Sequence, residues 1–158
     1  MRRALGSVLF TILIASTGCG GGSGDPTAPP GSVGPGTMTA QVNGSAWSAT
    51  ITKRAFASGG LITVQGQDGS NRIITIVARA SAPGTYSLAI GNGLGHNALY
   101  SVVAAAWSTA LQGGNGTFTI TSLTATQVRG TFSFTAVSNV NGTAPVQVTS
   151  GQFDLPIS

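Results

Sequence analysis

The sequence predicts an all-β domain, an antiparallel β-sandwich of nine or ten short strands, with a closed, lipocalin-like antiparallel barrel as the alternative. Three observations carry this. Charged residues make up 6% of the chain while 24 of its 158 residues are glycine, against roughly 25% charged residues in an ordinary globular domain. Serine, threonine, asparagine and glycine supply the polar surface, and glycine and β-branched residues lower helix propensity. Apolar residues, 41% of the chain, are spread along it in alternating runs, the period of a half-buried strand. Turn dipeptides then punctuate those runs at intervals of roughly 8–12 residues, as in sandwiches and barrels.

In chain order, "MTAQV" and "AWSATI" flank Asn43-Gly44, and "LITVQGQ" and "RIITIVAR" flank the Asp68-Gly69 turn. Such dipeptides tolerate the positive φ that a tight hairpin demands. In "RIITIVAR", Ile74, Ile76 and Ala78 share one face, because successive side chains of a strand point to opposite sides. "GTYSLAI" follows Pro83, and "NALYSVVAAAWSTAL" reads as two strands, Asn97–Val103 and Trp107–Ala110, or as a short helix. "TFTITSL" turns Phe118 and Ile120 inward. "VRGTFSFTA" alternates Val128, Phe132, Phe134 and Ala136 against Arg129, Thr131, Ser133 and Thr135. "VQVTSGQFDL" keeps phase through Val146 and Val148, then slips by one before Phe153 and Leu155, which predicts a β-bulge at Gly151. Asn115-Gly116 and Asn141-Gly142 are read as further hairpin turns. The expected core is Val42, Trp47, Ile62, Val64, Ile74, Ile76, Tyr86, Leu88, Trp107, Phe118, Ile120, Phe132, Phe134 and Phe153.

The N-terminus is organised differently. Met1-Arg2-Arg3 precedes an apolar run, Leu5–Ile14, and small residues lead to Cys19, the single cysteine. This is the outline of a secretory signal peptide and is too short to span a bilayer. "STGC" resembles the bacterial lipobox, with Ser16 standing where leucine is usual. The resemblance implies cleavage before Cys19, lipid on its sulfur, and membrane attachment through that lipid. Gly20 in the next position implies outer-membrane sorting, with the domain facing periplasm or cell surface. The organisation expected is a signal peptide over residues 1–18, the lipidated cysteine and a flexible Gly/Ser/Pro tether over 19–37, and one all-β domain over 38–158.

Several segments occur together in a characteristic order: "MTAQVNGSAWSA", "PGTYSL", "GNGTFTITSLT", "RGTFSFTAVSNVNG" and "SGQFDLPIS". Together they resemble the family of small bacterial lipoproteins whose single domain is one of unknown function. The resemblance implies a lipoprotein signal and an all-β fold. It implies no activity and no catalytic residue.

The side-chain inventory narrows the chemistry. After cleavage the cations are Lys53, Arg54, Arg72, Arg79 and Arg129 and the acids Asp25, Asp68 and Asp154, a net charge of +2. The cations are dispersed, and a nucleic-acid partner is not expected without a concentrated basic face. A glycosidase pair would have to be Asp68 and Asp154, yet Asp68 reads as a turn residue. His96, in the glycine-rich loop "GNGLGHNA", reads as an exposed loop histidine, and no G-x-S-x-G turn offers a nucleophile. One histidine and dispersed acids do not make a metal site, and no cofactor is expected. Trp107, Tyr100 and Trp47 are the candidate ligand-binding residues, as a stacking platform for a glycan, although core filling is the preferred explanation of tryptophans in a small β-domain. The reading is therefore a non-enzymatic, lipid-anchored binding or accessory module of the envelope, its partner a glycan or a protein. The alternatives are a glycan-binding module using exposed aromatics, a structural or assembly subunit of an outer-membrane complex, and a hydrolase using Asp68, Asp154 or His96.

Overall fold

The computed structural model describes residues 36–91 and 93–158. The signal segment and Cys19 lie outside that range. The described residues form eleven strands and no helix: β1 (Thr37–Val42), β2 (Ser45–Ser48), β3 (Thr52–Ser58), β4 (Leu61–Gln67), β5 (Ile73–Arg79), β6 (Gly84–Ser87), β7 (Asn97–Val102), β8 (Ala105–Ser108), β9 (Asn115–Leu123), β10 (Gln127–Ala136) and β11 (Val146–Pro156). A six-stranded sheet, β2-β1-β11-β10-β9-β6, packs on a five-stranded one, β3-β4-β5-β7-β8. All pairings between the strands are antiparallel. Isolated bridges from Ala55 to Ile157 and from Ser108 to Val137 tie the sheets at two corners, but the sheets do not close into a barrel. The architecture is a β-sandwich.

Alternation builds the core. Met38, Ala40 and Val42 of β1, Ile62 and Val64 of β4, Ile74, Ile76 and Ala78 of β5, and Phe132, Phe134 and Ala136 of β10 all turn inward and are buried. Apolar burial of this kind stabilises by about 25 cal/mol per Å². An aromatic layer sits on the inner face of the six-stranded sheet: Phe118 stacks on Phe153 with centroids 5.2 Å apart, and Phe132 lies 6.3 Å from Phe153. Of the expected core, Tyr86 and Trp107 are only half-buried and pack against its margin, and the other residues are fully buried.

The slip at Gly151 is a bulge. Phe132 pairs with Gly151 and Phe134 with Val148, and the β1 register shifts over the same residues. Ser150 takes φ 52° to absorb the extra residue. Gly151 itself is held by contact, since a methyl group there would overlap the Phe132 ring.

Four expectations need correction. β3 is an eleventh strand that "TKRAFAS" does not announce. It is an edge strand with one buried side chain, Ala55, so it has almost no apolar alternation to read. The second half of "NALYSVVAAAWSTAL" is the strand Ala105–Ser108, not Trp107–Ala110, because the β7–β8 hairpin turns at Val103-Ala104, pairing Val102 with Ala105. "GTYSLAI" is a strand only through Ser87; one further bond, from Leu88 N–H to the Gly116 carbonyl at 2.9 Å, ends its contact with β9. Of the four turn dipeptides, Asn43-Gly44 alone makes a two-residue hairpin, with φ 48° and 77°. Asn115-Gly116 lies inside β9, Asn141-Gly142 sits in the longer β10–β11 connection, and Asp68-Gly69 opens a five-residue loop. The other two-residue hairpin with positive φ at both positions is Gly59-Gly60, joining β3 to β4.

Candidate functional site

The candidate residues fall into three places. Trp47, Asp68 and Tyr100 gather around Arg72, at the end of the sandwich where β4 turns into β5. Asp68 closes that loop: one carboxylate oxygen accepts from the backbone N–H groups of Ser70 and Arg72, both at 2.9 Å, and the other accepts from Arg72 Nε at 2.6 Å. Trp47 Nε1 donates to the Arg72 carbonyl at 3.4 Å. The indole fits because position 66 is glycine; a methyl group there would lie 2.7 Å from Trp47 Cη2. Trp47 is 2% and Tyr100 5% exposed, so neither ring offers a face to a ligand. Burial pushes the Tyr100 hydroxyl above its ordinary value, against the opposing charge of Arg72. Both aromatics lie in the inward phase of their strands, and this overrules their assignment to a platform.

Trp107 is half-buried. It opposes Tyr100 across the β7–β8 ladder with ring centroids 5.7 Å apart and an interplanar angle of 42°. Its Nε1 donates to the Ala144 carbonyl at 2.9 Å. The ring thus ties the five-stranded sheet to the β10–β11 connection. The three aromatics proposed as a platform do not form one.

Asp154 keeps separate partners in the other sheet. It faces outward from β11 yet is 2% exposed, because Gln127 Nε2 donates to Oδ1 at 2.6 Å and Arg129 Nε to Oδ2 at 2.9 Å. No hydrogen bond or ion pair joins the two aspartates. His96 is buried, not exposed. It sits edge-on to Tyr86, with centroids 5.7 Å apart and an interplanar angle of 78°, and its Nδ1 lies 3.3 Å from the Ser87 carbonyl. The physical reason is phase: positions 96, 98 and 100 all point inward, and His96 continues that row one residue before β7 begins. Reading the alternation backwards from Ala98 would have found it. Among the described residues no three His, Cys, Asp or Glu side chains cluster as metal ligands would.

Asp68 also makes the fold sensitive to acid. Burial alone would raise its pKa, but hydrogen bonds from Arg72 and Ser70 and the charge of Arg72 outweigh burial and hold it below the ordinary carboxylate value. A carboxyl whose pKa is depressed by folding contributes stability above its unfolded pKa, about 3.9. That contribution is lost as pH falls through the lower folded value. Asp68→Asn should therefore lower stability at neutral pH by about 1–2 kcal/mol and flatten the loss below pH ~4. Urea titrations across pH check this, and equal pH slopes in the two proteins would refute it.

Sequence reasoning passed over a different feature. On the outer face of the six-stranded sheet lies an open cleft of about 500 Å³, lined by neutral hydrogen-bonding side chains that include Asn115, Thr117, Ser133, Thr135, Gln147 and Thr149. Cross-strand pairing lines them up in rows, such as Asn115–Thr135–Gln147, with strands about 4.8 Å apart. No ionisable side chain lines it.

A family model described as a domain of unknown function (DUF6252) matches residues 35–155. The chain belongs to this family. The match spans every strand of the DUF6252 domain except the last residue of β11. No curated protein and no solved structure matches the chain. In this DUF6252 domain the sequence-predicted site residues are thus divided between a plug around Arg72, an ion pair on β10–β11, and a histidine enclosed beneath Tyr86.

Proposed function

We propose that this DUF6252 domain is a non-catalytic binding or accessory module of the bacterial envelope, held at the outer membrane by lipid on Cys19. The observation that carries the non-catalytic part is the commitment of the two aspartates and the histidine of the described residues. Asp68 closes a loop with Arg72, Asp154 is enclosed by Arg129 and Gln127, and His96 lies under Tyr86. General acid–base catalysis needs a titratable group that can reach a substrate, and the hydrolase alternative has no support from these positions. The anchor rests on the residues around Cys19, with "GGGSGDPTAPPGSVGPG" as the flexible tether that an anchored domain needs.

The outer cleft favours a glycan as ligand over the assembly-subunit reading. Hydroxyl and amide side chains both donate and accept, as sugar hydroxyls do, and Thr135, Gln147 and Thr149 make no side-chain hydrogen bond within the protein. Recognition would then run through polar rows and not through the tryptophans.

The test follows the protein in cells and in isolation. Wild type should fractionate with the outer membrane and Cys19→Ala with the soluble periplasm; membrane retention of the variant would sink the anchor. The purified domain should turn over no envelope polymer, while neutral oligosaccharides should shift backbone amides of β9, β10 and β11 selectively. Turnover would overturn the non-catalytic reading, and shifts confined to Trp107 would restore the aromatic platform.

A further inference from the structure

The two outer faces of the sandwich differ in kind. The six-stranded sheet presents neutral polar rows, with one ion pair at its end. The five-stranded sheet presents cations and apolar side chains together. Phe56 is 40% exposed, and Leu61 and Leu99 are each 36% exposed. Cross-strand register places Leu61 opposite Arg79, Phe56 opposite Thr63, and Thr63 opposite Val77, while Leu99 is Thr75's partner, one row along the same face. Leu61, Val77 and Leu99 thus run as a diagonal stripe across β4, β5 and β7. Arg54 lies over the Phe56 ring, 5.2 Å from its centroid, and Nε donates to Gln65. A solvated face of a sheet is normally polar, so exposed apolar groups at this density call for a partner.

The charges name its sign. Among the described residues the only two side-chain carboxylates pair with Arg72 and Arg129. Arg54 and Arg79 of this face, and Lys53 beside it, have no ion pair there. No aspartate or glutamate there offsets them.

The path of the chain names its class. Thr37 pairs with Asp154, and Gly36 N–H donates to the Asp154 carbonyl at 2.7 Å. Three residues on, Ile157 bridges to Ala55 of β3. The first described residue, Gly36, therefore lies toward the corner where Lys53, Arg54 and Phe56 lie. Cys19 precedes Gly36 by 17 positions, a reach of at most roughly 60 Å. We infer that the outer face of the five-stranded sheet docks on an anionic phospholipid surface, with Arg54 and Arg79 at the phosphates and Phe56 and Leu61 in the headgroup region. Arginine and aromatic side chains suit that boundary, polar at one end and apolar along the stem. Attachment at Cys19 would raise the local concentration of lipid at this face. That clause rests on the anchor proposed above, whereas the chemistry of the face does not.

The experiment separates the two. Residues 36–158 contain the whole core and are used without lipid. They should sediment with vesicles of phosphatidylcholine plus phosphatidylglycerol and not with phosphatidylcholine alone. Arg54→Gln and Arg79→Gln should each weaken binding about fivefold, from the attraction of one cation to an anionic surface. Phe56→Ser should weaken it further, and Thr131→Val, on the opposite sheet, should leave it unchanged. All four substitutions are at the surface, and an unaltered far-ultraviolet spectrum verifies the fold. Absence of binding to anionic vesicles, or binding indifferent to both arginine variants, would overturn the inference. So would preference for polyglutamate over vesicles, which would identify an acidic protein as the partner. A failed anchor would appear separately, as full-length protein in the soluble fraction with vesicle binding by residues 36–158 intact.

Discussion

Gly130→Ala is expected to destabilise the domain by about 3 kcal/mol or more, the upper end of what overpacking costs. Gly130 faces inward from β10, in phase with Val128 and Phe132. A methyl group there would overlap the Thr119 carbonyl and come within 2.8 Å of Phe153 Cζ. The Thr119 carbonyl is backbone of the neighbouring strand and cannot rotate aside as a side chain could. The register also shifts at this point, with Arg129 opposite Ser122 and Gly130 opposite Ile120, so there is no slack in the ladder to absorb the atom. Gly84→Ala is the control. Its methyl group would meet the Tyr86 side chain at 3.5 Å, an ordinary contact, and stability should change by less than about 0.5 kcal/mol. Urea unfolding of the three proteins measures the difference. Equal midpoints for the two variants would mean that β9 does not cross Gly130 as described.

Phe153→Ala is expected to cost about 3–5 kcal/mol, the range for removing a buried phenylalanine. Its ring is 1% exposed and joins Phe118 to Phe132 in the layer that β9, β10 and β11 share. Deletion leaves a cavity bounded by two rings that cannot both close over it. Phe56→Ala should cost far less, because that ring is already 40% exposed. A midpoint shift with an unchanged denaturant slope would locate the effect in the folded state. If the two variants were equally stable, the aromatic layer would not be the centre of the core.

Legibility in the sequence tracked how much of a strand's side-chain face is buried. β4, β5, β10 and β11 bury one full face, and their apolar alternation is plain along the chain. Even the bulge near Gly151 is visible, because a one-residue slip moves Phe153 and Leu155 to the other parity. β3 hides because it holds its place through the backbone: the Ala55 carbonyl accepts from Ser158, and only one of its side chains is buried. Turn chemistry was ambiguous for a related reason. Asn-Gly tolerates positive φ wherever it falls, and pairing decides whether that freedom makes a two-residue hairpin, as at Asn43-Gly44, or is absorbed within a strand, as at Asn115-Gly116.

The candidate site was less legible than the fold. A tryptophan, a tyrosine and a histidine can each serve a ligand or a core, and composition does not separate the two. Strand parity does: Trp47, His96 and Tyr100 all point inward. The cleft on the six-stranded sheet could not be seen at all, since serine and threonine on outward positions look like any solvated surface until four strands bring them side by side.

By itself the sequence determined the class of the domain, because period-two alternation, glycine and β-branched residues disfavour helix along the domain, with "NALYSVVAAAWSTAL" alone left open between strand and helix. It also determined the scarcity of charge. The tertiary structure decided where the few charges and aromatics went. Asp68 and Asp154 are far apart in the chain, and each lies within reach of a nearby arginine, so folding gave each carboxylate its own cation. Pairing β3, β4 and β5 gathered Arg54, Arg79, Phe56 and Leu61 onto one outer face. Those neighbours come from different strands, and hydrogen-bonded register, a long-range property, is what places them together.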